Sequence, residues 1–266
     1  MTARKCSHFR SIKQTLYLVP LSLSLIVFGF PFAIQSKTAQ AQGVQYVMHE
    51  IPLVQQNAPF FGVINGMNQL GMVIGNHSPG GIKTGFVYDH FGLLGNPGAV
   101  HSLTEWITNP PEFPFSSCVG INEMGQIVGL FEATVGTETN RAGYLLDLDM
   151  FAATPAPAWR YLPIPLGATS SYGRRINNLG LVCIESQYPD YAEYLFDSSD
   201  PDAELQPIVD PSTNAPVSSA RVGDLTDAGH LGGDSSGRGY LLQPGISLQY
   251  LPIRGVNLNE QGILVG

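Results

Sequence analysis

The sequence predicts an all-β fold, a β-propeller-like array of about five small antiparallel sheets, with an open β-repeat stack or solenoid as the alternative. Three observations carry that expectation. A unit exemplified by INEMGQIVG, Ile121 to Gly129, recurs along the chain; its copies lie about fifty residues apart, which suits four strands per repeat; and no window shows helical apolar spacing while 30 Gly and 20 Pro punctuate the chain.

The recurring unit reads as a β-hairpin. Apolar residues lead to an Asn, two variable residues follow, then a Gly, and a second apolar run closes on another Gly. Asn suits the first position of a type I turn, where its side chain bonds backbone N–H groups ahead of it, and Gly suits the end, where φ is positive. Such a turn joins two antiparallel strands by a short loop. The copies fall at 64–75, 121–129, 176–184, 225–233 and 258–266. Their turn residues are Asn68 and Gly71, Asn122 and Gly125, Asn177 and Gly180, Gly229 with Thr226 in place of Asn, and Asn259 and Gly262. In the third copy Ile184 stands where the others close on Gly. Successive turn glycines are separated by 54, 55, 49 and 33 residues.

Two further elements repeat. GFVYD (Gly85 to Asp89), GYLLD (Gly143 to Asp147), EYLFD (Glu193 to Asp197) and GYLLQ (Gly239 to Gln243) have the aromatic and branched composition of a third strand. RYLPIPL (Arg160 to Leu166), LQPIVD (Leu205 to Asp210) and QYLPI (Gln249 to Ile253) suggest a fourth, and YVMHEIPL (Tyr46 to Leu53) is of the same kind. Because the last repeat stops at its hairpin, Tyr46 to Leu53 is expected to complete a sheet with Val256 to Gly266 and so protect an exposed edge. Pro-rich runs at Asn109 to Phe115 and Ala152 to Ala158, and the acidic run Asp197 to Glu204, read as connections within one domain.

Residues 1–41 have the form of a secretory signal peptide: Arg4, Lys5, Arg10 and Lys13, an apolar run from Leu16 to Ile34, and the small residues of Ala39-Gln40-Ala41 before a cleavage site. An uncleaved membrane anchor is the competing reading. Residues 42–266 then form a single β-repeat domain, exported to the extracellular space, the cell surface or the periplasm. Removing the leader's five basic residues from the total of 13 leaves eight Lys and Arg against 21 acidic residues, a net charge of −13. Nucleic acid and anionic membrane are therefore poor partners, and a glycan or protein ligand is expected instead. Cys118 and Cys183 remain after cleavage. Cys183 occupies a mostly apolar strand position of the repeat, so buried free thiols are expected rather than a disulfide.

The hairpin followed by a small residue, an aromatic and an apolar pair resembles the HAF family of bacterial extracellular repeats, whose second half usually reads His-Ala-Phe-Leu-Trp. Here the corresponding segments are TGFVYD, RAGYLLD, YAEYLFD and GRGYLLQ, without the His or the Trp. The resemblance implies export and repeated β architecture; it implies no activity.

The chemistry-bearing candidates are few. Gly233-Asp234-Ser235-Ser236-Gly237 matches G-x-S-x-G, but a nucleophile elbow needs a strand-to-helix turn and this motif falls between two strands. Asp197, Asp200, Asp202 and Glu204 could gather around Ca²⁺, although their spacing is not that of an EF-hand and Pro201 interrupts it. The histidines at 49, 77, 90, 101 and 230 lack zinc-site spacing. Phe86, Tyr88, Tyr144, Tyr194, Phe196 and Tyr240 could line a carbohydrate platform, yet their equivalent strand positions suit the packing between repeats better. No catalytic or cofactor-binding residue is expected. The function expected is that of a secreted or cell-surface repeat protein with a binding or structural role, and the alternative is a secreted hydrolase acting on polysaccharide or peptide.

Overall fold

In the computed structural model the described residues are 39–41, 44–46, 51 and most of 62–265. The chain divides into two compact units, Met1–Glu50 and Ile51–Gly266. In the first, β1 (Ala39–Ala41) pairs antiparallel with β2 (Val44–Tyr46). This hairpin straddles the expected cleavage point; the rest of the leader lies outside the described residues.

The second unit is all-β and holds four antiparallel sheets of four strands. Sheet I contains β3 (Val63–Met67), β4 (Met72–His77), β5 (Thr84–Asp89) and β6 (Ala99–Ser102). Sheet II contains β7 (Phe115–Ile121), β8 (Gln126–Val135), β9 (Glu138–Asp147) and β10 (Ala158–Tyr161). Sheet III contains β11 (Ser170–Ile176), β12 (Leu181–Gln187), β13 (Ala192–Asp197) and β14 (Gln206–Pro207). A short hairpin of β15 (Val209–Asp210) and β16 (Ala215–Pro216) follows. Sheet IV contains β17 (Ala220–Leu225), β18 (Leu231–Ser235), β19 (Arg238–Leu242) and β20 (Gln249–Leu251). The last repeat supplies β21 (Asn257–Leu258) paired with β22 (Leu264–Val265). Strands within each sheet are adjacent in chain order, so each repeat is an independent meander.

Each hairpin is built by its Asn and Gly. In repeat II, Gly125 N–H donates to Asn122 O at 3.2 Å and Asn122 N–H donates to Gln126 O at 3.1 Å. Asn122 Oδ1 accepts from Met124 N at 3.1 Å and Gln126 N at 2.9 Å. Gly125 has φ +79°, the left-handed residue that ends a type I turn with a bulge, and Gly71, Gly180, Gly229 and Gly262 lie between +74° and +83°.

The second apolar run of the hairpin alternates between faces with period two, so each sheet presents apolar side chains to both neighbours. Ile74 and Val87 of sheet I meet Ile127, Tyr144 and Leu146 of sheet II. Val128 and Leu145 of sheet II meet Val182, Ile184 and Phe196 of sheet III. Cys183 of sheet III meets Val222, Leu231 and Tyr240 of sheet IV. Phe86, Tyr88, Tyr144, Phe196 and Tyr240 are buried and Tyr194 is half-buried, which places the recurrent aromatics in the core and not on an exposed platform. Full burial of each such side chain contributes roughly 1.5–3 kcal/mol.

The closing glycine of the hairpin makes room for that aromatic. Gly75 pairs with Phe86, Gly129 with Tyr144 and Gly233 with Tyr240 across the β4–β5, β8–β9 and β18–β19 ladders. A Cβ on Gly129 would lie 2.5 Å from Tyr144 Oη and would collide with the Ser117 carbonyl on the other side. In sheet III the volumes are exchanged: Ile184 faces Gly173 on β11, where the other repeats set Ile64, Cys118 and Val222 opposite glycine.

Two expectations change, and a third falls mostly on residues outside those described. The fourth strand of the first repeat is Ala99–Ser102, which the Leu-Pro-Ile pattern does not mark, and it runs into a 3-10 turn at Leu103–Glu105 capped by Ser102. The Leu-Pro-Ile runs contribute only short pieces, Ala158–Tyr161, Gln206–Pro207 and Gln249–Leu251, because Pro cannot donate to a ladder and ends the pairing. Tyr46 pairs with Ala39, and of the rest of Tyr46–Leu53 only Ile51 lies within the described residues; it packs on Val73, Phe86 and Tyr88 of sheet I.

Candidate functional site

The first strand of each of the four sheets of four strands carries the same irregularity just before its turn. The ladder skips Asn65 in β3, Val119 in β7, Arg174 in β11 and Gly223 in β17. A bulge of this kind twists the strand and redirects the side chains beside it. In these four repeats the residues at and after this point line one cavity of about 260 Å³, reached by Asn65 and Gly66, Val119 and Gly120, Arg175, and Gly223 and Asp224, and joined by Asn257 at the matching position of the fifth repeat.

The rim of the cavity is a ladder of turn residues. Asn68 Nδ2 donates to Asn122 O at 3.1 Å, Asn122 Nδ2 to Asn177 O at 2.9 Å, and Asn177 Nδ2 to Thr226 O at 3.0 Å. A second ladder runs one residue further on. Gln69 N donates to the Glu123 carboxylate at 3.0 and 2.9 Å, Glu123 N to Asn178 Oδ1 at 2.8 Å, and Asn178 N to Asp227 Oδ1 at 2.7 Å. Each of the first three repeats thus makes both links to the next. The buried amides Asn68, Asn122 and Asn177 satisfy their own turn with Oδ1 and the neighbouring repeat with Nδ2, which explains why the first turn position takes Asn.

Charge enters at repeats III and IV. Arg174 Nη1 pairs with Glu185 Oε2 at 2.8 Å and donates to Tyr172 Oη at 3.1 Å, while its Nε donates to Val222 O at 3.4 Å. Burial alone would lower the Arg174 pKa, but Tyr172 and Glu185 outweigh it and leave it raised. Arg175 Nε donates to Gly223 O at 2.6 Å and Nη1 to Arg174 O at 2.8 Å. Burial and the neighbouring Arg174 lower its pKa, with Asp224 acting the other way. Asp224 accepts from Leu225 N at 2.9 Å and Leu258 N at 3.2 Å. Behind this layer Glu193 Oε1 accepts from Val222 N at 2.7 Å and Tyr240 Oη donates to Glu193 Oε2 at 3.4 Å, a carboxyl group that burial pushes up to about 8.

The other sequence candidates are placed elsewhere. Ser235 is the buried last residue of β18, opposite Arg238 of β19, so it belongs to a hairpin and has no helix behind it; Ser236 and Gly237 lie outside the described residues. Asp197 accepts from Ser199 N at 2.9 Å and Ser199 Oγ at 2.6 Å, which lower its pKa, and Asp200 Oδ1 accepts from Asp202 N at 2.9 Å. These carboxylates shape their own loop. Among the described residues no group of three or more His, Cys, Asp and Glu is set to hold a metal. Cys118 and Cys183 are buried and free; burial pushes the Cys118 thiol up to about 12 and raises that of Cys183 as well.

Of the cavity residues, only Asn122 and Asn177 were singled out from sequence, and as turn residues; those that vary between repeats were not. The latter include the position two residues before the turn Asn, where the five copies read Gly66, Gly120, Arg175, Asp224 and Asn257. Disagreement among copies at one fixed offset, beside near-identity at the turn, was the available signal. What the fold and cavity define is a class, the all-β repeat protein whose meanders share one polar cavity. No family model matches the chain, and no curated protein matches it either.

Proposed function

We propose that the protein is an exported, non-enzymatic β-repeat protein that binds an extracellular ligand, a glycan or protein, in the cavity of the first strands. The observation that carries this reading is the contrast between repeats. The first turn position is nearly uniform, Asn68, Asn122, Asn177 and Asn259 with Thr226 as the exception, whereas the cavity-lining position two residues before it reads Gly66, Gly120, Arg175, Asp224 and Asn257 and so differs in size, polarity and charge. A scaffold alone needs only the uniform part, and a cavity lined differently by each repeat has the asymmetry a specific ligand requires. Export rests on the leader sequence, and the acidic balance of residues 42–266 disfavours nucleic acid as the partner.

We also propose a radial arrangement of the sheets, as in a β-propeller, and kinship with the HAF repeats. Convergence of five first strands on one cavity supports the first, and the Asn-x-x-Gly hairpin with its aromatic third strand supports the second. Screening the protein on glycan and peptide arrays tests the functional reading. Saturable binding that Asn257→Trp, at an exposed position of the lining, abolishes is the expected result. Turnover of an arrayed compound would transfer the protein to the hydrolases, and absence of binding on both arrays would leave a purely structural role.

A further inference from the structure

We propose that Arg175 anchors the carboxylate of a small hydroxylated acid, of the sugar-acid class, inside this cavity. The inference rests on the binding reading above and names the chemistry of the ligand. Arg175 is the exception among the residues at its repeat position, where Gly66, Gly120, Asp224 and Asn257 stand in the other copies. Its guanidinium spends two N–H groups on the Gly223 and Arg174 carbonyls. Among the described residues its neighbour Arg174 has a carboxylate partner in Glu185, while Arg175 has none within ion-pair distance. A half-buried guanidinium has five donors in a planar fork that fits a carboxylate, so the remaining N–H groups are suited to a ligand oxygen.

The surroundings define the rest of the ligand. Glu123 and Asp224 also line the cavity, with Glu123 engaged by Gln69 N and Asp224 by Leu225 N and Leu258 N. With two carboxylates near the one guanidinium, a dianion such as phosphate or sulfate is repelled more strongly than a group of a single negative charge, so a monocarboxylate is the anion the site favours. Asn65, Asn178 and Asn257 put side-chain amides in the lining that hydroxyl groups can bond, which favours a sugar acid over an apolar peptide end. A volume of about 260 Å³ is near the lower limit of small-molecule pockets and matches a ligand of one ring.

Calorimetric titration of the full chain with D-glucuronate, D-glucose and N-acetylglycine decides the matter. Expected are saturable glucuronate binding at least tenfold tighter than glucose, a tenfold or greater loss in Arg175→Gln, partial retention in Arg175→Lys, and tighter glucuronate binding in Asp224→Asn. The opposite signs of Arg175→Gln and Asp224→Asn separate charge recognition from a folding defect, which would weaken both. Glucuronate binding no better than glucose, or unchanged by Arg175→Gln and Arg175→Lys, overturns the proposal. Equal affinity for N-acetylglycine overturns the sugar-acid class. Binding of neutral glycans on the array together with failure of glucuronate sinks this inference alone; failure on every array sinks the binding reading with it.

Discussion

Asn122 Nδ2 donates to the backbone carbonyl of Asn177 at 2.9 Å, joining two residues 55 positions apart through the first turn position of successive repeats. The same amide holds its own turn through Oδ1, which accepts from Met124 N and Gln126 N. Truncation in Asn122→Ala therefore orphans two turn amides at a site only 3% exposed and takes one of two donors from the Asn177 carbonyl, which keeps Gly180 N, and should cost about 2–3 kcal/mol. Asn122→Asp keeps the acceptor but turns a carboxylate toward a carbonyl, so it should be at least as damaging. Asn122→Thr should be milder, because Thr226 serves repeat IV with a hydroxyl that accepts from His230 N at 3.1 Å. Urea denaturation midpoints of the three variants check the order; equal loss in all three would mean that the cross-repeat bond contributes nothing of its own.

The exchange of volumes between Gly173 and Ile184 predicts an interaction that depends on both residues. Gly129→Ala should destabilise by about 1–3 kcal/mol, since its Cβ has the Ser117 carbonyl on one side and Tyr144 on the other. In sheet III the tolerance is reversed. A Cβ on Gly173 would meet Val128 Cβ at 2.7 Å and Leu162 Cδ1 at 2.9 Å, in the same cluster that holds Ile184. Ile184→Gly empties part of that cluster and Gly173→Val overfills it, so the double variant should be more stable than the sum of its single effects predicts, a coupling a double-mutant cycle measures directly. Additive losses would refute the exchange.

How far the fold was legible depends on which residues carried it. The Asn-x-x-Gly turns were readable because a left-handed glycine and a turn-bonding Asn leave few alternatives, as Gly125 and Asn122 show. The third strands were readable because an aromatic such as Tyr144 recurs after each of the first four hairpins within the same short pattern, a small or acidic residue before it and an apolar pair after it. Ala99–Ser102 was not, since its strand lacks both the aromatic and the Pro that mark its counterparts. The cavity was illegible for a different reason: Arg175 and Asp224 adjoin only when bulges in two strands, 49 residues apart in the turn register, redirect them to one place. Nothing in the local sequence of either residue encodes that meeting.

Burial of both thiols gives a chemical prediction. With the Cys118 thiol pushed up to about 12 and that of Cys183 also raised, neither supplies appreciable thiolate at neutral pH, and neither is accessible. Mass-spectrometric mapping after iodoacetamide treatment should find both unmodified in the folded protein and modified after unfolding in urea. Rapid native labelling of Cys183 would mean that the interface between sheets III and IV opens readily.

That interface should also weaken as pH rises, through Glu193. Its carboxyl is 2% exposed, linked to sheet IV by Val222 N and Tyr240 Oη, and faced by Arg174 from β11 and Glu185 from β12. Burial is the leading cause of its rise to about 8; Val222 N, Arg174 and Tyr240 oppose it, and Glu185 adds to it. In the unfolded chain the same group ionises near the ordinary value of 4.5. Between these limits the folded state holds a proton that the unfolded state has released, so stability falls with increasing pH. The contribution is complete below about 4.5, declines through the window up to about 8 and is lost above it, on the order of a few kcal/mol in all. Glu193→Gln keeps the shape and cannot ionise. Denaturation midpoints measured from pH 5 to 9 should fall steadily in the parent protein and flatten in Glu193→Gln, and parallel pH profiles for the two would show that Glu193 does not titrate in this range.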